Sequence, residues 1–107
     1  MSFLRRRLPN RRESETFEVE AQGLRFTASV SRYTDGTPAE IFLCNRKASS
    51  AAGIFAQDLG VVASIALQYG APLDVIRRAL MRDAQGRASG PLGAALDRIA
   101  GDDGGSA

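Results

Sequence analysis

Cys44 is the residue of this sequence whose type most readily supports covalent chemistry, because a thiolate is both a nucleophile and a metal ligand. Arg46 and Lys47 follow it closely, and neighbouring cations favour the thiolate form of a cysteine. The 107 residues include one cysteine and no histidine, so a thiol nucleophile would lack its usual base. We therefore expect no catalytic residue, no metal site and no bound cofactor, and we interpret Cys44 as a small buried hydrophobe.

A second candidate is an anion site at the predicted start of a helix. Ser89 and Gly90 precede Pro91, and the unpaired N–H groups at a helix N-terminus attract anions. Arg82 and Arg87 lie nearby in the sequence. The spacing is neither that of a P-loop nor that of a dinucleotide fingerprint. Two interpretations stay open: a nucleotide or phosphate site formed by Arg82, Arg87, Ser89 and Gly90, or a purely structural helix cap at Ser89.

The third candidate is a cluster of basic residues at the start of the chain. The sequence has 14 basic and 12 acidic residues, and five of the basic ones precede residue 13, namely Arg5, Arg6, Arg7, Arg11 and Arg12. Such an arm attracts phosphates and acidic surfaces, so nucleic-acid binding is one hypothesis and a solvated tail is the other. We predict a flexible arm over residues 1–13. The Gly- and Asp-rich segment 101–107 predicts a disordered tail.

We find no targeting signal in the sequence that would direct the protein out of the cytoplasm. It has no run of about 18 apolar residues of the kind that spans a bilayer. Pro9 and Asn10 follow the first arginines, where a secretory signal would have an apolar stretch. We therefore expect a cytoplasmic protein without membrane association.

Three strands and three helices are predicted between residues 14 and 100. Apolar and polar residues alternate over 16–21, 24–33 and 39–44, which is typical of half-buried strands, and Gln22-Gly23 fits a hairpin turn. Helical patterns follow over 50–69, 73–82 and 91–100. In the first helix, steps of four and three residues predict a core-facing stripe made of Phe55, Leu59, Val62, Ala66 and Tyr69.

This order predicts an α+β fold: a three-stranded antiparallel meander followed by three helices, with the long first helix packed on one face of the sheet. Residues 14–100 form a single domain in this interpretation. A core of this size is marginal by itself, so we expect the chain to form a homo-oligomer or to dock on a larger protein.

Two stretches of the sequence carry a family resemblance. The strand 39–43, Ala-Glu-Ile-Phe-Leu, and the segment 63–73, Ala-Ser-Ile-Ala-Leu-Gln-Tyr-Gly-Ala-Pro-Leu, resemble the C-terminal TSCPD-type domain of cobalamin-dependent (class II) ribonucleotide reductases and its small free-standing relatives. The resemblance covers about residues 14–100 and implies the same fold and a context in deoxynucleotide synthesis, with a reductase subunit as a partner.

The motif that gives this family its name, Thr-Ser-Cys-Pro-Asp, falls on residues 88–92. Ser89 and Pro91 match it, and Gly90 replaces the cysteine. The resemblance therefore implies a fold and an accessory role rather than the cysteine chemistry of the family. The reductase reaction requires a large barrel, a radical-initiating cofactor and a cysteine pair. We expect this chain to be a non-catalytic accessory or interaction domain, with nucleotide binding and nucleic-acid binding as the alternatives.

Overall fold

The alternating residues at the start of the domain form an antiparallel sheet. In the computed structural model, which describes residues 4–10 and 13–101, strands β1 (Ser14–Ala21), β2 (Leu24–Arg32) and β3 (Pro38–Asn45) lie in the order β1-β2-β3. Gln22 and Gly23 have φ angles of 54° and 72°, the left-handed conformation that a tight two-residue hairpin requires. The predicted meander is confirmed.

One face of the sheet is buried and the other is open. The inner face carries the apolar members of each alternation, which are Phe17, Ala21, Phe26, Ala28, Val30, Ile41 and Leu43. The outer face carries hydroxyl pairs between neighbouring strands, such as Thr16 and Ser29 with their oxygens 3.0 Å apart. Phe42 and Cys44 also point to this open face and are exposed.

Helix α1 (Ala51–Gln68) lies along β3 and is the largest cover of the sheet's inner face. Ser50 caps it, because the Ser50 hydroxyl accepts a hydrogen bond from the N–H of Gly53 at 3.1 Å. The helix approaches β3 so closely that a Cβ atom on Gly60 would lie 2.9 Å from the carbonyl oxygen of Ile41. Mostly small residues therefore form the packed side of α1: Gly53, Ala56, Gly60, Ala63, Ser64 and Leu67.

The packed side of α1 differs from the predicted one. Phe55, Leu59 and Val62 were expected to face the core, yet all three are exposed. The spacing rule for helices finds a stripe but does not weigh residue size. Close contact with a strand backbone selects the small residues on the opposite side of the helix.

Polar side chains of α1 close the free edge of β3. The Ser64 hydroxyl accepts a hydrogen bond from the N–H of Ile41 at 2.8 Å and lies 3.1 Å from the carbonyl oxygen of the same residue. The Gln68 side-chain amide donates to the carbonyl of Ala39 at 2.9 Å. An uncovered edge invites pairing with other strands, so these contacts also protect the sheet. By length and composition alone α1 could cross a membrane, but here one side of it packs against β3.

Helices α2 (Leu73–Ala79) and α3 (Pro91–Ile99) complete the domain. The predicted second helix extended to residue 82, but α2 ends at Ala79, because Arg82 and Ala88 form an isolated antiparallel bridge that turns the chain. Helix α3 packs on β1 and α2 and buries Leu92 and Leu96. The observed order is three strands and then three helices, so the predicted α+β architecture is confirmed.

Candidate functional site

A polar cleft lies between the β1–β2 hairpin, the segment 83–89 and helix α3. Its volume is about 640 Å³. Two of the predicted anion-site residues, Arg87 and Ser89, line it, and so do four carboxylates: Glu18, Glu20, Asp83 and Asp97. The cleft therefore presents both signs of charge to a ligand.

Asp97 is the electrostatic centre of this region. Its side chain is only 2% exposed, and it accepts hydrogen bonds from two arginines. The Nε of Arg77 lies 2.7 Å from one carboxylate oxygen, and two guanidinium nitrogens of Arg82 lie 2.7 and 2.9 Å from the two oxygens. Arg82 lowers the pKa of Asp97 most strongly, and Arg77 adds to this effect, while burial opposes it. This network joins α3 to α2 and to the segment that follows α2.

Asp83 organises the loop that carries Arg87. One Asp83 carboxylate oxygen accepts hydrogen bonds from the backbone N–H groups of Gln85 and Arg87, both at 2.9 Å. The other oxygen lies 3.2 Å from the Arg87 side chain. The backbone N–H of Arg87 is the main reason that the pKa of Asp83 is lowered. Because Arg87 already has a carboxylate partner, an anionic ligand would have to compete with Asp83 for it.

The start of α3 also differs in detail from the prediction. Gly90, rather than Ser89, is the N-cap residue, and no side chain caps this helix. The backbone of Ser89 is engaged on both sides: its N–H donates to the carbonyl of Met81 at 3.0 Å, and its carbonyl accepts from the Gln22 side chain at 2.9 Å. The structure thus brings Arg87 and Ser89 to one cleft and turns Arg82 towards Asp97. An anion site formed by Arg82, Arg87, Ser89 and Gly90 stays a prediction.

Part of the arginine arm contacts the domain. The Arg6 guanidinium stacks 3.7 Å above the centre of the Tyr33 ring and lies 3.3 Å from the carboxylate of Asp35. The backbone N–H of Arg6 donates to the carbonyl of Gln68, and the Arg5 side chain donates to the Gln68 side chain. Burial raises the pKa of Tyr33 in spite of the two nearby arginines.

Of the remaining arginines of the arm, Arg7 is the one that lies within the described residues. Arg7 is exposed, and Arg11 and Arg12 lie outside the described residues, as does the chain after residue 101. The division into an arm over 1–13, a domain over 14–100 and a tail over 101–107 stays a prediction.

The interpretation of Cys44 as a buried hydrophobe was wrong. Cys44 is exposed on the outer face of the sheet, opposite Thr27 of β2. The helices pack on the inner face, and alternation along β3 then directs Cys44 away from the core. Within residues 4–10 and 13–101, no group of three or more histidine, cysteine, aspartate or glutamate side chains is placed to hold a metal ion.

The feature that the sequence analysis missed is an exposed apolar surface on α1. We call it the outer face of α1, and it consists of Ile54, Phe55, Leu59, Val61, Val62 and Ile65. Val62 is 65% exposed. Gly60 brings the helix next to the backbone of Phe42, whose side chain is 58% exposed. Contiguous exposed apolar surfaces of this kind mark sites of association. The 4-3 spacing pointed to three of these residues, Phe55, Leu59 and Val62, but it assigned them to the core.

Comparison with known proteins relates the chain to one enzyme family. Over 72 residues, which are 67% of this chain, it is 40% identical to the vitamin B12-dependent ribonucleotide reductase of Rhodopirellula baltica. Over 70 residues it is 33% identical to the enzyme of the same name from Bradyrhizobium diazoefficiens. No protein-family model and no solved structure matches the chain.

The matched region is a small part of those enzymes. It spans 7% of the first relative and 6% of the second. The predicted relation to vitamin B12-dependent ribonucleotide reductases is thus confirmed for about two thirds of this chain. The assignment to the TSCPD-type domain stays a prediction.

Proposed function

We propose that this chain is a non-catalytic interaction domain that serves as an accessory factor in deoxynucleotide synthesis. The observation that carries this proposal is the extent of the similarity, which covers most of this domain and only 7% of the reductase from Rhodopirellula baltica. A segment of that size corresponds to a module of a large enzyme rather than to the whole enzyme. The chemistry of the relatives then resides in the parts that this chain does not match.

The nucleophiles of the chain support a non-catalytic role. Converting a ribonucleotide to a deoxyribonucleotide consumes two electrons, which a pair of thiols supplies when it closes to a disulfide. This chain has one cysteine and no histidine. Cys44 lies on the open face of the sheet, and the described carboxylate with the strongest partners, Asp97, is held by two arginines. A single cysteine cannot close a disulfide within the chain, and the two arginine partners of Asp97 commit that carboxylate to the packing of α3.

The surface supports an interaction role. The outer face of α1 and Phe42 present large apolar side chains to solvent, although polar residues would cost nothing in core packing at these positions. Burial of such a surface against another polypeptide is favourable by about 25 cal/mol for each Å² removed from water. An isolated monomer gains nothing from it.

Two experiments test this proposal. The tagged full chain is used to capture partners from a native lysate of its source organism, and we expect a vitamin B12-dependent ribonucleotide reductase among the proteins identified by mass spectrometry. The purified chain is then incubated with ribonucleoside di- and triphosphates, adenosylcobalamin and a dithiol, and we expect no deoxynucleotide. Capture without any reductase would refute the accessory role, and turnover by the chain alone would refute the non-catalytic one.

A further inference from the structure

We infer that the outer face of α1 binds the same face of a second copy of this chain, in an antiparallel helix pair across a two-fold axis. This inference rests on the proposed interaction role and names the partner. It starts from the arrangement of the exposed residues, since Phe55, Leu59 and Val62 follow one another at steps of four and three residues. That spacing forms a seam along a helix which packs against a matching seam on another helix.

The size of the exposed apolar surface agrees with a small dimer interface. A fully exposed Phe offers about 200 Å² and the aliphatic residues offer less, so the exposed fractions of the six residues in the outer face of α1 amount to about 500 Å². A stable interface of ordinary size takes about 800 Å² from each partner. The outer face of α1 lies within the range of about 300–600 Å² for the largest patch on a typical monomer, which is often a functional one. Two such faces bury about 1,000 Å² in total, the lower limit for a specific interface, so the inferred dimer is a weak one.

Symmetry explains why a second copy fits this surface. In a two-fold dimer each partner contributes the same patch, so a seam that matches itself is sufficient. If the axis passes between Leu59 and Val62, Leu59 of one copy meets Val62 of the other, and Phe55 lies opposite Ala66. The paired stretch then runs from residue 55 to residue 66, about two thirds of the 18 residues of α1.

The single charge on α1 makes the inference specific. Asp58 lies within the exposed side of the helix and is the only charged residue from Ala51 to Gln68. With the axis between Leu59 and Val62, the two Asp58 positions are separated by about 8 Å along the helix direction. Like charges at that distance repel weakly in salt, so they reduce the affinity of the dimer without preventing it. A different partner that supplied a cation would instead gain from Asp58.

Sedimentation velocity of the full chain between about 1 and 500 µM tests the inference, because interfaces of about 1,000 Å² in total belong to weak, transient complexes that are populated at high concentration. We expect a dimer whose population rises with concentration. Val62→Glu places a charge at the seam in both copies and should raise the Kd at least about 100-fold. Val75→Glu is the matched control, since Val75 is also an exposed helical valine, at 62% against 65%, and it should leave the Kd within about twofold. Circular dichroism at low concentration confirms that both variants fold.

Asp58→Asn should strengthen the dimer, whereas Val62→Glu should weaken it, and this contrast makes the test more discriminating. Removing two like charges should lower the Kd by about twofold to fivefold. A chain that stays monomeric at every concentration overturns the inference, as does equal weakening by Val62→Glu and Val75→Glu, or a weaker dimer after Asp58→Asn.

The outcome is separable from that of the proposed function. If the chain is monomeric but still captures a reductase, and Val62→Glu abolishes that capture, then the outer face of α1 belongs to a different partner. In that case the dimer is refuted and the accessory role is retained. If a dimer forms and the variants change its Kd as predicted, but no reductase is captured, the accessory role is refuted and the dimer is retained.

Discussion

Asp97→Asn tests the view that the buried carboxylate holds α3 in place. The variant keeps the shape of the side chain, removes its charge, and turns one of its two accepting oxygens into a donor that faces an arginine. Three charge-assisted hydrogen bonds converge on Asp97, at 2.7, 2.7 and 2.9 Å, and each such bond contributes about 1.5–3 kcal/mol. Breaking a buried ion pair by removing one partner costs about 3–5 kcal/mol.

Partial exposure of the two arginines moderates this loss. The side chains of Arg77 and Arg82 are 20% and 28% exposed. Water therefore replaces part of the hydrogen bonding that these arginines lose when the carboxylate is removed. We therefore expect Asp97→Asn to lower the free energy of unfolding by about 2–4 kcal/mol and the Tm by about 10 °C or more. Urea unfolding followed by circular dichroism measures the free energy of unfolding. The slope of this free energy against urea concentration should be unchanged if only stability is affected.

Asp83→Asn is the matched control, because it also removes a carboxylate that pairs with an arginine, but at the surface. Its effect on stability should be much smaller, since exposed ion pairs are weak. A loss below about 1 kcal/mol for Asp97→Asn, or an equal loss in both variants, would refute the structural role of the network.

The pH dependence of the stability also follows from Asp97. The pKa of Asp97 lies below its ordinary value of 3.8 in the folded chain, so its contribution is complete above that value and disappears as the pH falls through the lower, folded pKa. The wild type should lose this part of its stability as the pH falls below the ordinary pKa of an aspartate, 3.8, and Asp97→Asn should show a shallower loss over the same range. Identical slopes for the two proteins in urea titrations would contradict this assignment.

Three further predictions concern α1 and the cleft. Gly60→Ala should destabilise the domain by about 1–3 kcal/mol in urea unfolding, because the new methyl group would meet the β3 backbone at 2.9 Å; a stabilised variant would contradict the close approach. Ser64→Ala should cost about 1–3 kcal/mol in the same assay, since it leaves the buried N–H of Ile41 without its partner, and an unchanged midpoint would argue against edge closure. In calorimetric titration with nucleoside diphosphates at millimolar concentration we expect little heat, because Arg82 and Arg87 already pair with carboxylates; binding that is lost in Arg87→Ala would instead support the anion site.

Local patterns determined most of the secondary structure. The alternation of Phe17, Val19 and Ala21 with glutamates identifies β1 without reference to the rest of the chain, and Gln22-Gly23 specifies the turn that follows. These signals are local because strand faces and tight turns depend on neighbours within a few residues. The start of α3 at Pro91 was predictable for the same reason.

The end of α2 was not determined locally. Residues 80–82 continue a helical pattern in the sequence, but Arg82 pairs with Ala88 and reaches Asp97, which is 15 positions away. Those contacts exist only after α3 has packed. The same network occupies Arg82, which the sequence analysis had placed in an anion site, and a pattern of residue types cannot show which carboxylate a given arginine will meet.

The sequence by itself determined the order of strands and helices, the faces of the hairpin and the existence of a long apolar helix. Only the tertiary structure decided which side of that helix is buried. Both sides of α1 carry a mostly nonpolar stripe, one made mainly of small side chains and one of large side chains that Asp58 interrupts. Helical spacing treats the two alike, whereas packing does not: Gly60 and Ser64 allow the helix to reach the backbone of β3, and large side chains at those positions would hold it away. The large residues are therefore left on the surface, together with Phe42 and Cys44 on the uncovered face of the sheet.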